Sequence, residues 1–287
     1  SLKSVDRKII VITGASSGIG MLIAKQLATL GAHVVLWARR KPMLDQLVRS
    51  IEQNGGRATA YQVDLEDKAQ IYDTAKRVRN EIGIVDIVVN NAGITHGKEI
   101  MDLTDEEMQR TMNVNVMASF WTTRAFLPDM IARNQGQIVS VASAASVIGV
   151  KKMTDYSASK FGVFGFFDSL AAELESHKAT KTKGIHITVI MPYFIKTGMF
   201  HNVKKNNIDA LLPILEAEYT SKRIVKDILQ NKPVDLFPWS IWSVFLLRLG
   251  PKAVFNYVFQ DIAGLKNLLE DFRGSVNYDL TDIRSRL

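Results

Sequence analysis

Near the start of the chain runs Lys8-Ile9-Ile10-Val11-Ile12-Thr13-Gly14-Ala15-Ser16-Ser17-Gly18-Ile19-Gly20. Its first half is a continuous apolar run bounded by a glycine, the pattern of a strand buried on both faces of a parallel sheet. From Gly18 onward Ile19, Leu22, Ile23, Leu27 and Leu30 recur at helical spacing until Gly31 stops them. Strand, glycine-rich turn and helix therefore follow within about two dozen residues. A phosphate group needs backbone N–H donors at a helix N-terminus with no side chains in the way. Gly14, Gly18 and Gly20 supply both, with Ser16, Ser17 and Ile19 between them.

The alternation continues outward. Residues 33–38 (HVVLWA) form the next strand, and Met43, Leu44, Leu47, Val48 and Ile51 mark a helix closed by Asn54-Gly55-Gly56. A strand over 58–63, a helix carrying Ile71, Ala75, Val78 and Ile82, and a strand over 86–90 follow. Then come a long helix over about 105–133, a strand over 137–142, a helix over about 155–176 and a strand over 185–191. Short apolar strands alternating with longer helices specify an α/β fold, a single Rossmann-type doubly wound parallel sheet of about seven strands. No Gly/Ser-rich or Pro-rich linker interrupts the pattern, so residues 1–287 read as one domain with a core over about 7–238.

Beyond Pro192 the rhythm breaks. Residues 193–231 read as a loop-rich lid, with Phe194, Met199, Phe200, Leu211, Leu212 and Ile214 facing a greasy substrate, although each alone fits ordinary core packing. A short strand at 234–237 ends this stretch. Residues 239–287 form a hydrophobic helical extension, opening with Trp239, Ile241, Trp242, Val244, Phe245, Leu246, Leu247 and Leu249. That run is too short to span a bilayer. Two readings stay open for it, a buried helix or subunit contact and a helix lying in a membrane interface.

Composition narrows the chemistry. Of 287 residues 47% are apolar and 23% charged, which supports a sizeable core and excludes disorder. The net charge of +7 suits an anionic ligand. Lys151, Lys152, Lys181, Lys183, Lys204 and Lys205 are scattered and outside any nucleic-acid-binding module, so no nucleic-acid partner is expected. With no cysteine, disulfides, Cys-ligated zinc and thiol nucleophiles are excluded. His33, His96, His177, His186 and His201 lack metal-ligand spacing, so no metal site is expected. The first residues, with Lys3, Asp6, Arg7 and Lys8, show no secretory or membrane-spanning run, and an anchor upstream of Ser1 stays open.

Parallel sheets collect ligands at the carboxyl ends of their strands. The second strand ends in Trp37-Ala38-Arg39-Arg40-Lys41. A ribose 2′-hydroxyl calls for an acid at this point and a 2′-phosphate for cations, so three positive charges predict NADP, with Arg39 and Arg40 as contacts. A solvated basic loop is the plainer alternative. Asp64 and Leu65 follow the third strand beside the adenine position, and Asn90-Asn91-Ala92-Gly93 ends the fourth. Asn91 suits an inter-strand tie as well as a ligand contact.

Tyr156 and Lys160 lie four residues apart and share one helix face. A neighbouring ammonium and an oxidised nicotinamide would favour the phenolate, making Tyr156 a general acid or base with a lowered pKa. The pattern alone is weak, because seven tyrosines and 21 lysines give about half a chance occurrence. Tyr72 and Lys76 match it too, on a helix whose apolar face is Ile71, Ala75 and Val78. Ser143 singles out Tyr156, since it ends the fifth strand at the same sheet edge and can donate to a substrate carbonyl oxygen. Ser140, Ser146, Ser157 and Ser159 compete with it.

The set Thr13-Gly14-x-x-x-Gly18-x-Gly20, Asn90-Asn91-Ala92-Gly93, Asn115, Ser143, Tyr156-x-x-x-Lys160 and Pro192 with Thr197 resembles the short-chain dehydrogenase/reductase family over about residues 7–238. The resemblance implies a tetrad of Asn115, Ser143, Tyr156 and Lys160, in which Asn115 helps hold a water that relays protons to the lysine. It also implies cofactor contacts from Pro192 and Thr197, and a homodimer through the two long helices. Pro192-Tyr193 stands where the family usually has Pro-Gly. Within the family, VVLW, NVNVMASFW, AFLPDM and the hydrophobic C-terminus are similar to the group holding the 17-beta-hydroxysteroid dehydrogenases 11 and 13 and the epidermal retinal dehydrogenases. Ala38-Arg39 departs from that group, which usually carries Asp here, and resembles NADP-using members instead.

The expected function is an NADP(H)-dependent oxidoreductase that moves hydride between nicotinamide and the carbonyl or carbinol carbon of a retinoid, steroid or related lipid. Reduction is the expected direction, since cells hold NADPH mostly reduced. The alternatives are NAD-dependent lipid-alcohol oxidation and a non-catalytic NADP-binding scaffold. The expected place is the cytosolic face of the endoplasmic reticulum or a lipid droplet, through peripheral contact, or the cytoplasm.

Overall fold

The computed structural model describes residues 2–177, 182–199 and 212–258, together with Phe272, Gly274 and Ser275. In the first half, strands β1 (Ile9–Thr13), β2 (His33–Ala38), β3 (Arg57–Gln62) and β4 (Ile87–Asn90) alternate with helices α1 (Gly18–Thr29), α2 (Lys41–Gln53) and α3 (Lys68–Glu81). After them come α4 (Asp105–Met112), α5 (Ala118–Arg133), β5 (Gly136–Val141), α6 (Thr154–Ser176) and β6 (Ile185–Pro192). Two short strands, β7 (Ile195–Lys196) and β8 (Leu215–Glu216), precede α7 (Ala217–Gln230), β9 (Val234–Phe237), α8 (Ile241–Arg248) and α9 (Lys252–Asn256).

Seven strands form one sheet in the order β3-β2-β1-β4-β5-β6-β9, and every neighbouring pair is parallel. The apolar runs explain this arrangement. Ile10, Val11, Ile12, Val34, Val35, Leu36, Val88 and Val89 are all fully buried, so these strands need helices on both faces. The chain winds outward from β1 to β3, then returns to start the other half at β4. A crevice therefore opens between the carboxyl ends of β1 and β4, where the strand order reverses.

Three elements differ from the sequence expectation. The helix over 105–133 is two helices joined by a π-helical turn at Asn113–Met117. The chain stays helical through this turn and carries no proline or glycine there, so the sequence reads as one unbroken helix. Within the stretch read as a lid, residues 217–230 form α7, which packs on α1. Its buried stripe includes Thr220 and Ser221 beside Ile224, Val225 and Ile228, and the hydroxyl residues hide the helical spacing. The tail buries one side and exposes the other. Ile241 and Val244 are buried, whereas Trp239, Trp242, Leu246, Leu247 and Leu249 are exposed. Among the described residues no helix is long and apolar enough to cross a membrane.

Candidate active site

Gly14 has φ +66°, a conformation that glycine adopts without penalty, and its Cα side presses on Ala92 so closely that a Cβ would lie 2.9 Å from the Ala92 Cα. A Cβ on Gly20 would meet the Gly14 carbonyl oxygen and the Asn91 amide. These two positions let the β1–α1 turn fold tightly against β4. At Gly18 a Cβ would enter open space, and the demand for glycine comes from its backbone alone, with φ +57°. Ser17 precedes α1 without capping it through its side chain, and no acidic residue lies in the first turn. The amides at this helix start are thus free of a capping side chain, the environment that an anionic phosphate requires.

Asn91 forms an inter-strand tie. Its Nδ2 donates to the carbonyls of Thr13 (3.0 Å) and Gly14 (3.4 Å), and its side chain also borders the cleft. Thr13 completes the tie, its Oγ1 accepting from the backbone N–H groups of Asn91 and Ala92. Thr13 was legible in the motif but not as a structural anchor, because that role depends on β4 lying beside β1.

The cleft above this edge has a volume of about 650 Å³, within the usual range for cofactor and substrate sites. Gly14, Ser16, Ser17, Gly18, Ile19 and Gly20 line one end with Arg39, Arg40, Asp64 and Leu65. Asn91, Ala92 and Gly93 lie at its middle, and Ser143, Tyr156, Lys160, Pro192 and Thr197 at the other end. The two arginines differ in placement. Arg40 reaches over the glycine turn, donating to Ser16 Oγ (3.1 Å) and Ser17 Oγ (2.6 Å). Arg39 leans away toward Glu66 (3.8 Å), which also pairs with Arg110 at 2.8 Å. Arg110, on α4, borders the cleft and went unnoticed in the sequence, where an arginine in an exposed amphipathic helix carries no signal.

At the other end Tyr156 is buried and hydrogen-bonded to Ser143, and Lys160 Nζ lies 5.5 Å from the phenol ring centroid. Lys160 also donates to the Val141 carbonyl at 3.1 Å. The lowered Tyr156 pKa expected from the sequence is not found in the protein alone. Burial pushes this phenol up to about 12, with the Ser143 hydrogen bond only partly opposing it. Burial likewise brings Lys160 down to about 8. Both shifts arise because a dry site disfavours the charged form of each group, the phenolate of one and the ammonium of the other.

Asn115 sits in the π-helical turn. Its Oδ1 accepts from the Ile94 N–H (2.8 Å), while its Nδ2 donates to the Ile94 carbonyl and to Ser159 Oγ (2.9 Å). Ser159 in turn donates to the Tyr156 carbonyl at 2.7 Å. The Asn115 side chain therefore ties the loop after β4 to the helix that carries Tyr156.

Of the lid residues named from the sequence, Met199 borders the cleft. Phe194 and Leu212 are buried and Ile214 packs on the core, where β7 pairs with β8. Phe200 and Leu211 lie outside the described residues, as do Lys181, Lys204, Lys205 and His201. Tyr193 and Ile195 border the cleft instead, together with Ser275 from the C-terminal region.

Residues 8–208 match the family model for the short chain dehydrogenase. Human epidermal retinol dehydrogenase 2 is 38% identical over 271 residues, covering 94% of this chain and 86% of that protein. Retinol dehydrogenase 10-B of Danio rerio is 36% identical, covering 86% of this chain and 79% of that protein. Among solved structures, a metagenomic short-chain oxidoreductase in complex with NADP is 29% identical with a TM-score of 0.67, covering 82% of this chain and 97% of its own. A short chain dehydrogenase/reductase from Burkholderia phymatum in complex with NAD is 25% identical with a TM-score of 0.76, covering 86% of this chain and 94% of its own. The parallel sheet, the glycine turn opening on its crevice and the Ser143–Tyr156–Lys160 group agree with these likenesses: the chain belongs to the short-chain dehydrogenase family.

Proposed function

We infer that the protein is an NADP(H)-dependent reductase of hydrophobic carbonyls, of the retinoid, steroid or related lipid class. The observation carrying the cofactor choice is Arg40, held over Ser16 and Ser17 at the glycine turn with no acid at the end of β2. The names of the retinol dehydrogenase relatives support the substrate class, as do Ile94, Val114, Ile195 and Met199 along the cleft.

When bound, the nicotinamide supplies or accepts a hydride at its C4. This chain's residues handle the oxygen. A phenol kept protonated by burial suits donation to the alkoxide that develops as a carbonyl is reduced, since an alkoxide is far more basic than a phenolate. Ser143 lies beside the same hydroxyl and can donate to the substrate oxygen. Lys160 steadies the phenolate left behind, and Tyr193, Ile195 and Met199 keep the site apolar. The same reading includes a homodimer through α5 and α6, checked by light scattering, and peripheral contact with a lipid surface through the exposed side of α8 and α9.

Nicotinamide fluorescence titrations of NADPH and NADH test the cofactor choice. NADPH should bind more tightly, and Arg40→Ala should remove roughly tenfold to a hundredfold of that preference. A parent that prefers NADH would overturn the assignment and favour lipid-alcohol oxidation.

A further inference from the structure

Beside the active site lies a buried group of polar side chains outside the Asn-Ser-Tyr-Lys set. His96, on the loop after β4, and Asp155, in the first turn of α6, have side chains only 1% exposed, with Nδ1 and Oδ2 3.1 Å apart. Thr111 on α4 joins them, its hydroxyl donating to Asp155 Oδ2 (2.7 Å) and its oxygen 3.1 Å from His96 Nδ1. Three segments thus meet on one carboxylate, and the next residue in the chain is Tyr156.

The cluster holds this corner in two ways. Met153 precedes α6 without a side-chain cap, and Asp155 is the one acidic group in the first turn, where its charge favours the helix start. Burial pushes the Asp155 carboxyl up, but hydrogen bonds from His96, Thr111 and the Tyr156 backbone N–H outweigh it and leave the group below the ordinary carboxylate range. Asp155 therefore stays an anion, tied through Oδ2 to His96 and Thr111 from two other segments. Among the described residues further charged groups stand near the cluster. Glu107 on α4 is engaged by Lys98 at 2.6 Å, and Lys160 lies one turn further along α6. From the C-terminal region Gly274 packs on the His96 carbonyl and Ser275 bonds Thr95. His96 Nε2 has no hydrogen-bond partner among the described residues, so the imidazole is held through Nδ1 alone.

We propose that His96, Asp155 and Thr111 are positioning residues for Tyr156, clamping the first turn of α6 to the loop after β4 and so setting where the phenol stands between Ser143 and Lys160. None of the three borders the cleft, so they act through Tyr156. Asn115 grips the same loop from the other side, at Ile94, and the cluster completes the hold at His96.

The proposal rests on the oxidoreductase reading, and one of its two readouts needs no substrate. With the full chain saturated with NADP+, ultraviolet difference titration of parent minus Tyr156→Phe reads the ionisation midpoint of Tyr156. His96→Leu should raise that midpoint by about one pH unit, through a weaker hold beside Lys160, and lower kcat for all-trans-retinol roughly tenfold. NADP+ affinity should stay within about twofold. His96→Asn, whose amide nitrogen falls near the place of Nδ1, should restore both. Thr111→Val, which keeps volume but removes the hydroxyl, should move the midpoint in the same direction, and it decides the matter if His96→Leu fails to fold. An unchanged midpoint and kcat in variants whose Tm has fallen would overturn the proposal and leave the cluster a structural tie. If the parent turns over no retinol while the midpoint still shifts, the substrate reading fails and the positioning role stands.

Discussion

Tyr156 shows how a single residue changes meaning between sequence and structure. Spacing from Lys160 suggests a tyrosine ready to ionise, but burial holds it near 12 in the protein alone. Ionisation therefore depends on positive charge brought into the cleft. In the oxidative direction the rate should rise with pH through the Tyr156 midpoint, because the phenolate is the base, and that midpoint should lie below 12 once oxidised cofactor is bound. Tyr156→Phe should cut turnover by roughly 10²- to 10⁴-fold while NADPH fluorescence enhancement is retained. Loss of cofactor binding in this variant would instead make the hydroxyl a binding group.

At the scale of elements, the corner of α7 and β9 holds two buried carboxylates, Asp227 and Asp235. Arg223 (2.6 Å) and Lys232 (2.6 Å) engage Asp235 and keep it low. Burial and the neighbouring Asp235 push Asp227 up. A carboxyl raised in the folded state costs stability once it ionises, so the parent should lose stability as pH rises past the unfolded value and through the raised folded one. Asp227→Asn supplies a permanent donor to Asp235 in place of the protonated acid. Its Tm should exceed the parent's by on the order of 2–4 °C at pH 8, with the gain shrinking at pH 5. An equal difference at both pH values would assign the effect to packing instead.

Over the whole molecule, the described surface is uneven at its C-terminal side. Trp239 (77%), Leu246 (63%) and Leu249 (74%) stand exposed, with Val254 and Tyr257 following. Arg248 and Lys252 accompany them, and no acidic residue occurs between Trp239 and Tyr257. Such a face suits the interface of an anionic bilayer rather than its interior. In flotation with vesicles containing phosphatidylserine, the protein should rise with the lipid, and the combined change Trp239→Ser, Leu246→Ser and Leu249→Ser should leave most of it at the bottom. Equal flotation of parent and variant would assign membrane contact to another surface, and no flotation of the parent would end the idea.

Strand and helix order, the glycine turn and the Ser143, Tyr156 and Lys160 group were legible because they rest on local signals: apolar period, glycine placement and fixed spacing along one helix. Those signals also separated Tyr156 from Tyr72, since only one lies beyond a strand whose end carries Ser143. Asn115 came from the resemblance, and its bonds to Ile94 and Ser159 were invisible because they join residues 21 and 44 positions away in the chain. The contrast between Arg40 on the glycine turn and Arg39 on Glu66 depends on side chains brought together from β2, α1 and the loop after β3. His96, Thr111 and Asp155 lie up to 59 residues apart in the chain and meet only in the packed corner. Periodicity is a property of neighbours along a chain, so it determined the sheet and put Tyr156 and Lys160 on one helix face; burial and distant contacts, which set charge states and aim side chains, exist only once the chain has folded.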